Sequence, residues 1–322
     1  MPQSVCPVSS RLRTIRLAGL HRLFRKEGPI KARGVRAANR PQDPAERWEL
    51  AYSNAGEYAY SRGVFEIFPR NPHRAEEVPR EALESLSGSC GLEGLHQLFM
   101  IPWTVRSTGW GDQKVITPYS VLAIGGRAVG LWVDKPEPAV KAVIPVERIA
   151  AIEDVTILLY SRLSFLSAGE RLTIRYNTLA RPGLERALLE LRKKLAGLAR
   201  PVPLEDSAAV ELPFKWKQMS TRDTIRLSKE APVAIRFAVA PRKSRADIER
   251  GQMLVLNPHE LLYMCDPAES SHRYGADTFT IPRGGITGAR FRGEALDVAA
   301  NGARVSLSMV TELGTAAAGW LA

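Results

Sequence analysis

The sequence predicts a mainly β protein with α caps: two small β-barrels or sandwiches, each closed by a C-terminal amphipathic helix. Three features carry that expectation. Short apolar runs follow one another from Val121 to Asp154, broken by Gly125-Gly126, by Asp134-Lys135-Pro136 and by Pro145. The same layout returns further on, where Leu254, Leu256 and Asp266 match Leu122, Ile124 and Asp134 at a spacing of 132 residues. Ile281-Pro282 and Ile286 match Ile144-Pro145 and Ile149 at 137, a loop insertion taking up the difference. Self-similarity at a fixed spacing is the mark of a repeated unit. Finally, each half ends in a one-faced helical stripe.

The domain plan follows. Residues 1–45 form a basic tail expected to be disordered, and 46–90 an aromatic-rich segment and connector. Residues 91–200 form the first unit, 201–229 a linker beginning Arg200-Pro201-Val202-Pro203, and 230–322 the second unit. A chain of 322 residues with 45% apolar and 25% charged content has the composition of an ordinary globular protein. No apolar run reaches the ~18 residues of a membrane-spanning helix. Cys6, Cys90 and Cys265 lie far apart, and their odd number argues against a secreted disulfide framework. The expected location is therefore the cytoplasm, with the inner membrane face as a peripheral alternative. Arginine outnumbers lysine 34 to 11, which points to a GC-rich prokaryotic gene.

Along the chain, Trp48 to Phe68 is dense in aromatics, and Gly63 to Phe68 reads as a strand. Asn71 to Gly91 reads as a polar connector with one helical turn near Arg80 to Leu86. Leu95 to Arg106 reads as a strand that tolerates Pro102 only near an edge or bulge. The Gly125-Gly126 pair is expected to supply the positive φ of a tight hairpin turn. Val155 to Leu166 reads as one long strand, and Leu172, Ile174 and Tyr176 share a face of the next. Pro182 suits a first helical turn, where its missing N–H is no loss. Leu184, Ala187, Leu188, Leu191, Leu195 and Leu198 then form one stripe, with Glu190 and Lys194 paired along it. The second unit begins at Val233 to Val239. After its central hairpin, strands are expected near Phe279 to Ile281, Ile286 to Arg290, Ala295 to Val298 and Arg304 to Leu307. Val310, Leu313, Ala317, Trp320 and Leu321 form the second stripe.

Three motifs in the first unit are more specific. Leu122, Ile124, Arg127, Leu131, Trp132 and Asp134 form L-x-I-x-x-R-x-x-x-L-W-x-D. Ile144-Pro145, Arg148-Ile149 and Ile152-Glu153-Asp154 form I-P-x-x-R-I-x-x-I-E-D. Leu172 to Thr178 reads LTIRYNT ahead of the leucine-rich helix. With about seven antiparallel strands and one closing helix, this pattern resembles the bacterial pleckstrin-homology-like (PH-like) domains, in tandem. The resemblance covers 91–200 well and 230–322 less closely. It implies a binding or assembly module whose fold carries no catalytic residue. It also implies that bases on the first strand and the following loop can meet an anionic ligand. Those positions are Arg242, Lys243, Arg245 and Arg250 in the second unit, and Arg106 and Lys114 in the first. An exposed strand edge that accepts a peptide strand is the other binding mode expected.

Chemistry beyond binding finds little purchase. The five histidines, His21, His73, His96, His259 and His272, fall in no metal-ligand spacing, so neither metal nor cofactor is expected. No G-x-S-x-G elbow or phosphate-binding glycine loop is present. Glu153 and Asp154 are adjacent, so on a strand they point to opposite faces and cannot act as a pair. The expected function is a non-enzymatic protein-interaction or assembly module whose partner is another protein. The alternative is a peripheral anionic-membrane binder using the tail and the 242–250 loop; nucleic acid is the least favoured partner.

The charge has a definite address. Residues 1–40 hold ten Lys/Arg and one acid, a net of +9, so the remaining 282 residues carry only +2 of the total +11. Arg11, Arg13, Arg16, Arg22, Arg25 and Lys26, interleaved with leucines, are the candidate membrane or partner contacts. Bases near an anionic leaflet contribute on the order of 1 kcal/mol each. Deleting residues 1–40 should therefore abolish flotation with anionic vesicles. Replacing Arg242, Lys243 and Arg245 together should have a much smaller effect, and the reverse ranking would move the lipid site into the second unit.

Overall fold

The computed structural model describes residues 69–101, 104–107, 113–117, 119–133, 140–157, 160–197, 211–220, 234–241, 249–267 and 275–321. The basic tail and the aromatic stretch from Trp48 lie outside them, as do Trp103, Trp110 and Asp134. The protein is mainly β with few helices. In order, the elements are α1 (Arg80–Cys90), β1 (Leu98–Ile101), β2 (Thr104–Ser107), β3 (Gln113–Thr117), β4 (Ser120–Ile124), β5 (Ala128–Val133), β6 (Val140–Pro145), β7 (Ala151–Ile157), β8 (Tyr160–Ser167), β9 (Glu170–Asn177) and α2 (Arg181–Gly197). A short helix, α3, covers 214–220. Then come β10 (Ala234–Ala240), β11 (Arg250–Leu256), β12 (Glu260–Cys265), β13 (Ala276–Pro282), β14 (Ile286–Arg292), β15 (Ala295–Ala300), β16 (Ala303–Ser308) and α4 (Thr311–Leu321).

All pairing is antiparallel. The sheets run β1-β4-β5-β6, β10-β11-β12-β13-β7-β8-β9 and β14-β15-β16, with β2-β3 as a separate hairpin. A four-stranded meander, a 3₁₀ turn after an Ile-Pro, a three-stranded meander and a helix thus occur in that order twice along the chain. The expected closed barrels do not form. Instead β13 pairs with β7, from Thr280 opposite Ile152 to Ala276 opposite Thr156. The four-stranded meander of the second half and the three-stranded meander of the first become one sheet. Backbone groups that a barrel would satisfy within one unit are satisfied here across two.

Side-chain alternation then sets four packed layers. On one face of the seven-stranded sheet, Met253, Val255, Leu262 and Met264 lie under Trp216 and Met219 of α3. Continuing across the same face, Ile152, Leu163, Phe165, Leu172, Ile174 and Tyr176 meet Leu184, Ala187, Leu191 and Leu195 of α2. Phe99, Leu122, Ile124 and Ile144 of the four-stranded sheet close this core from the other side. The opposite face of the seven-stranded sheet presents Leu254, Leu256, Leu261, Tyr263 and Ile281 to Leu296, Val298, Val305 and Leu307, with Leu313 and Ala317 of α4.

The fourth layer comes from the segment expected to be a polar connector. Arg80–Cys90 is a three-turn helix whose Ala82, Leu86 and Cys90 bury against Leu98, Met100, Val121, Ala123 and Trp132. The polar majority of this segment faces outward and conceals a three-residue apolar stripe. Glycines let the helix come close. Neither Gly125 nor Gly126 has positive φ, contrary to expectation; a Cβ on Gly125 would collide with the Cys90 carbonyl oxygen. At Gly130 it would lie 2.7 Å from both Cys90 Sγ and Leu86 Cδ2. The Arg127 amide donates to the Cys90 carbonyl at 2.8 Å and the Gly126 amide to that of Gly91 at 3.1 Å, so the β4–β5 turn caps the end of α1. Gly91, at φ 67°, is where positive φ is needed.

Two further readings change. The single strand over Val155 to Leu166 is two, β7 and β8, paired from Ile157 opposite Tyr160. Leu158 and Leu159 lie outside the described residues, and the sequence there has no Gly or Asn to interrupt the apolar alternation. Leu188 is half-buried, whereas Leu191 is 3% exposed inside the core. Leu191→Ala should therefore lower stability by about 2–5 kcal/mol, and Leu188→Ala by clearly less. Urea midpoints for the two variants check the order.

Candidate functional site

The sheet seam and α2 enclose a cleft of about 470 Å³. In the ladder, Thr280 lies directly opposite Ile152 and Thr278 opposite Asp154, so both threonines and Asp154 share the face that α2 covers. Leu163 of β8 completes the floor. Over it, α2 lays Arg181, Glu185, Leu188, Leu189 and Arg192, spaced by three, four and seven residues along one side of the helix. The cleft thus has an apolar floor, hydroxyls along the seam and a charged rim.

The rim charges are fixed by one another. Arg181 Nη2 lies 2.8 Å from Asp154 Oδ2, and Nη1 donates to Thr156 Oγ1 at 2.7 Å. Glu185 stands 3.8 Å from Arg181 Nε. Arg186 meets Glu190 at 3.1 Å, and Glu190 meets His96 Nε2 at 2.8 Å, tying α2 to the 3₁₀ turn Leu95–Gln97 before β1. Partial burial pushes the Glu190 pKa up, yet the hydrogen bonds from His96 and Arg186 outweigh it and hold the carboxyl below its ordinary range. Beneath Arg181, the Tyr176 phenol is pushed up by burial and then by the Asp154 carboxylate. Arg192 reaches across the seam with Nε 3.1 Å and Nη2 2.8 Å from the two oxygens of Glu260 on β12. That carboxylate is 0% exposed and also sits beside the Asn257 loop, whose side chain accepts from the Glu260 amide at 2.7 Å.

Glu153 and Asp154 do fall on opposite faces. Asp154 enters the cleft, while Glu153 accepts from Arg162 at 3.1 Å and from Arg171 on the far side. Among the described residues no group of three His, Cys, Asp or Glu is placed to hold a metal ion. Cys265 is a poor nucleophile, because burial and then the Asp277 carboxylate push its thiol up to about 12.

The expected ligand positions gather elsewhere or lie outside the described residues. Arg242, Lys243 and Arg245 are outside them, as are Arg11, Arg13, Arg16, Arg22, Arg25 and Lys26. Arg250 opens β11 and donates to the Pro267 carbonyl, holding the β11–β12 hairpin end. Arg106 and Lys114 stand opposite each other in the β2–β3 ladder, so those two bases come from one hairpin. Arg250 does not line the cleft. Sequence reasoning missed Arg181, Arg192 and Glu260. The visible trace was three arginines, at 181, 186 and 192, on a helix otherwise read for its leucines.

The Arg192–Glu260 pair joins an element of the first half to one of the second. Removing one partner of a buried pair strands a charge and costs about 3–5 kcal/mol, whereas replacing both by apolar residues is often neutral. Arg192→Met alone should therefore be strongly destabilising in chemical denaturation. Combining it with Glu260→Met should recover most of the loss; no recovery would show that the pair is not the coupling between the halves. No helix among the described residues is long and apolar enough to cross a membrane.

Comparison with protein-family models, with curated proteins and with solved structures finds no match to the chain.

Proposed function

We propose that the chain is a tandem of PH-like units acting as a non-enzymatic protein-interaction or assembly module. The observation that carries this reading is the repeated order of elements: four strands, an Ile-Pro 3₁₀ turn, three strands and a closing helix, twice. On this reading the two units are 91–200 and 230–322. Matching positions support the equivalence. Leu122 and Leu254 are buried on β4 and β11, the second strands of their meanders, and Ile144 and Ile281 are buried on the fourth.

Within this reading the cleft beside α2 is the recognition surface. Its carboxylates Asp154 and Glu185 both lean on Arg181, an arrangement suited to holding shape and polarity rather than moving protons. Leu188 and Leu189 supply apolar area, and the exposed ends of Arg186 and Glu190 supply a polar rim, the usual anatomy of a protein-binding patch. An anionic membrane remains the competing partner through the tail.

Photo-crosslinking residues placed at Arg186 and Leu189 of the full chain test the proposal in the source cell. A discrete protein adduct at these positions, absent from the same probe at Glu312 on α4, is the expected result. Adducts equal at both places, or none alongside strong vesicle flotation, would replace it with the membrane reading.

A further inference from the structure

We infer that copies of this chain associate head to tail, the outer edge of β6 in one copy pairing with the outer edge of β14 in the next. This rests on the reading of the two halves as equivalent units and names the partner as a second copy.

The template lies inside the molecule. The fourth strand of the second unit, β13, pairs with the fifth strand of the first, β7. Strand pairing of this kind recognises backbone, so any unit with the same two edges carries the same complementarity. After that one internal use, one edge of each kind is left over. β6, the counterpart of β13, ends its sheet, and β14, the counterpart of β7, begins its own. Among the described residues β6 pairs only with β5 and β14 only with β15; β6 comes near β9 without sharing a ladder. Exposed strand edges are normally covered or blunted, because they template pairing with another chain.

The internal pairing also sets the register. Ile144 corresponds to Ile281 and Ile149 to Ile286, so Thr280 opposite Ile152 becomes Val143 opposite Ala289, and Phe279 opposite Glu153 becomes Ala142 opposite Arg290. The β14 irregularity, between Ile286 and Gly288, falls before this register and leaves Ala289–Arg292 regular. Arg290 and Arg292 are exposed and able to move aside. The docked β6 would stand beside α4 as β13 stands beside α2, completing a second cleft. Such an interface is heterologous: each copy gives one edge and receives on another. It closes into a ring or continues as a filament.

Light scattering on the full chain over a rising concentration series is the first measurement. Masses at twice the 35.5 kDa chain or at higher multiples are expected; a monomer throughout overturns the inference while leaving capture of another protein at Arg186 and Leu189 to decide the proposed function. The second is disulfide trapping between a chain carrying Ala142→Cys and one carrying Arg290→Cys. Opposed residues in an antiparallel ladder have Cα atoms about 4.5–5.5 Å apart, within disulfide reach. Trapping should exceed that of Ala142→Cys with Ser306→Cys, on the far strand β16, by at least tenfold. Multimers that trap equally with both would place the contact elsewhere and sink the edge pairing.

Discussion

The ladder between β13 and β7 is the contact on which the rest depends. Through it two meanders that are far apart in sequence become one sheet, and every layer is then defined by which face of that sheet it covers. The α2 core and the α3 core lie on one face, the α4 core on the other. Backbone pairing alone would allow the strands to slip, but a shift by one residue would send Thr278 and Thr280 to the far face and Phe279 into the cleft. Arg192 and Glu260 oppose such a slip from the side, since their bidentate geometry tolerates little displacement. Asn301 adds a third tie, donating to the Ile149 carbonyl at 2.7 Å from the β15–β16 turn.

The first half depends on a second constraint, close approach. Three turns of α1 bury only Ala82, Leu86 and Cys90 fully, too little apolar area to hold a helix at ordinary distance. Gly125 and Gly130 remove the side chains that would keep it away, and the β4–β5 turn then donates two amides to its last carbonyls. Dense packing recovers dispersion contacts that a wider gap would forfeit. The same glycines that look like turn residues in the sequence are therefore packing residues, and their φ values say so.

Most of the strands were legible because one face of each is buried and the other is not. Leu172, Ile174 and Tyr176 alternate with exposed Arg171, Thr173 and Arg175, and the structure keeps that alternation residue by residue. The helix α2 was legible for the same reason at a different period. What could not be read was pairing between halves. Thr278 and Thr280 look like surface residues of an edge strand, and nothing local tells β13 to continue into β7 instead of closing a barrel. Glu260 is likewise an ordinary strand carboxylate until Arg192, 68 residues earlier, is brought against it. Cross-sheet partners of this kind leave no periodic trace. The change of strand between Ile157 and Tyr160 was missed in the opposite sense, since the apolar sequence there reads on without a break.

Among the described residues the two halves share an order of elements but differ in equipment. The first carries the β2–β3 hairpin between its first two meander strands, and its closing helix has 17 residues against 11 in α4. At 1.5 Å per residue α2 is about 25 Å long, and it lies along the seam from Arg181 to Arg192. The cleft opens along that span, because Arg181, Glu185, Leu188, Leu189 and Arg192 sit on one side of the helix over Ile152, Leu163, Thr278 and Thr280. In the second half α4 stays on its core: Gly314 is packed so closely on Phe291 that no side chain would fit there. On the proposed reading, the recognition surface lies where the longer of the two closing helices covers a strand of the other half.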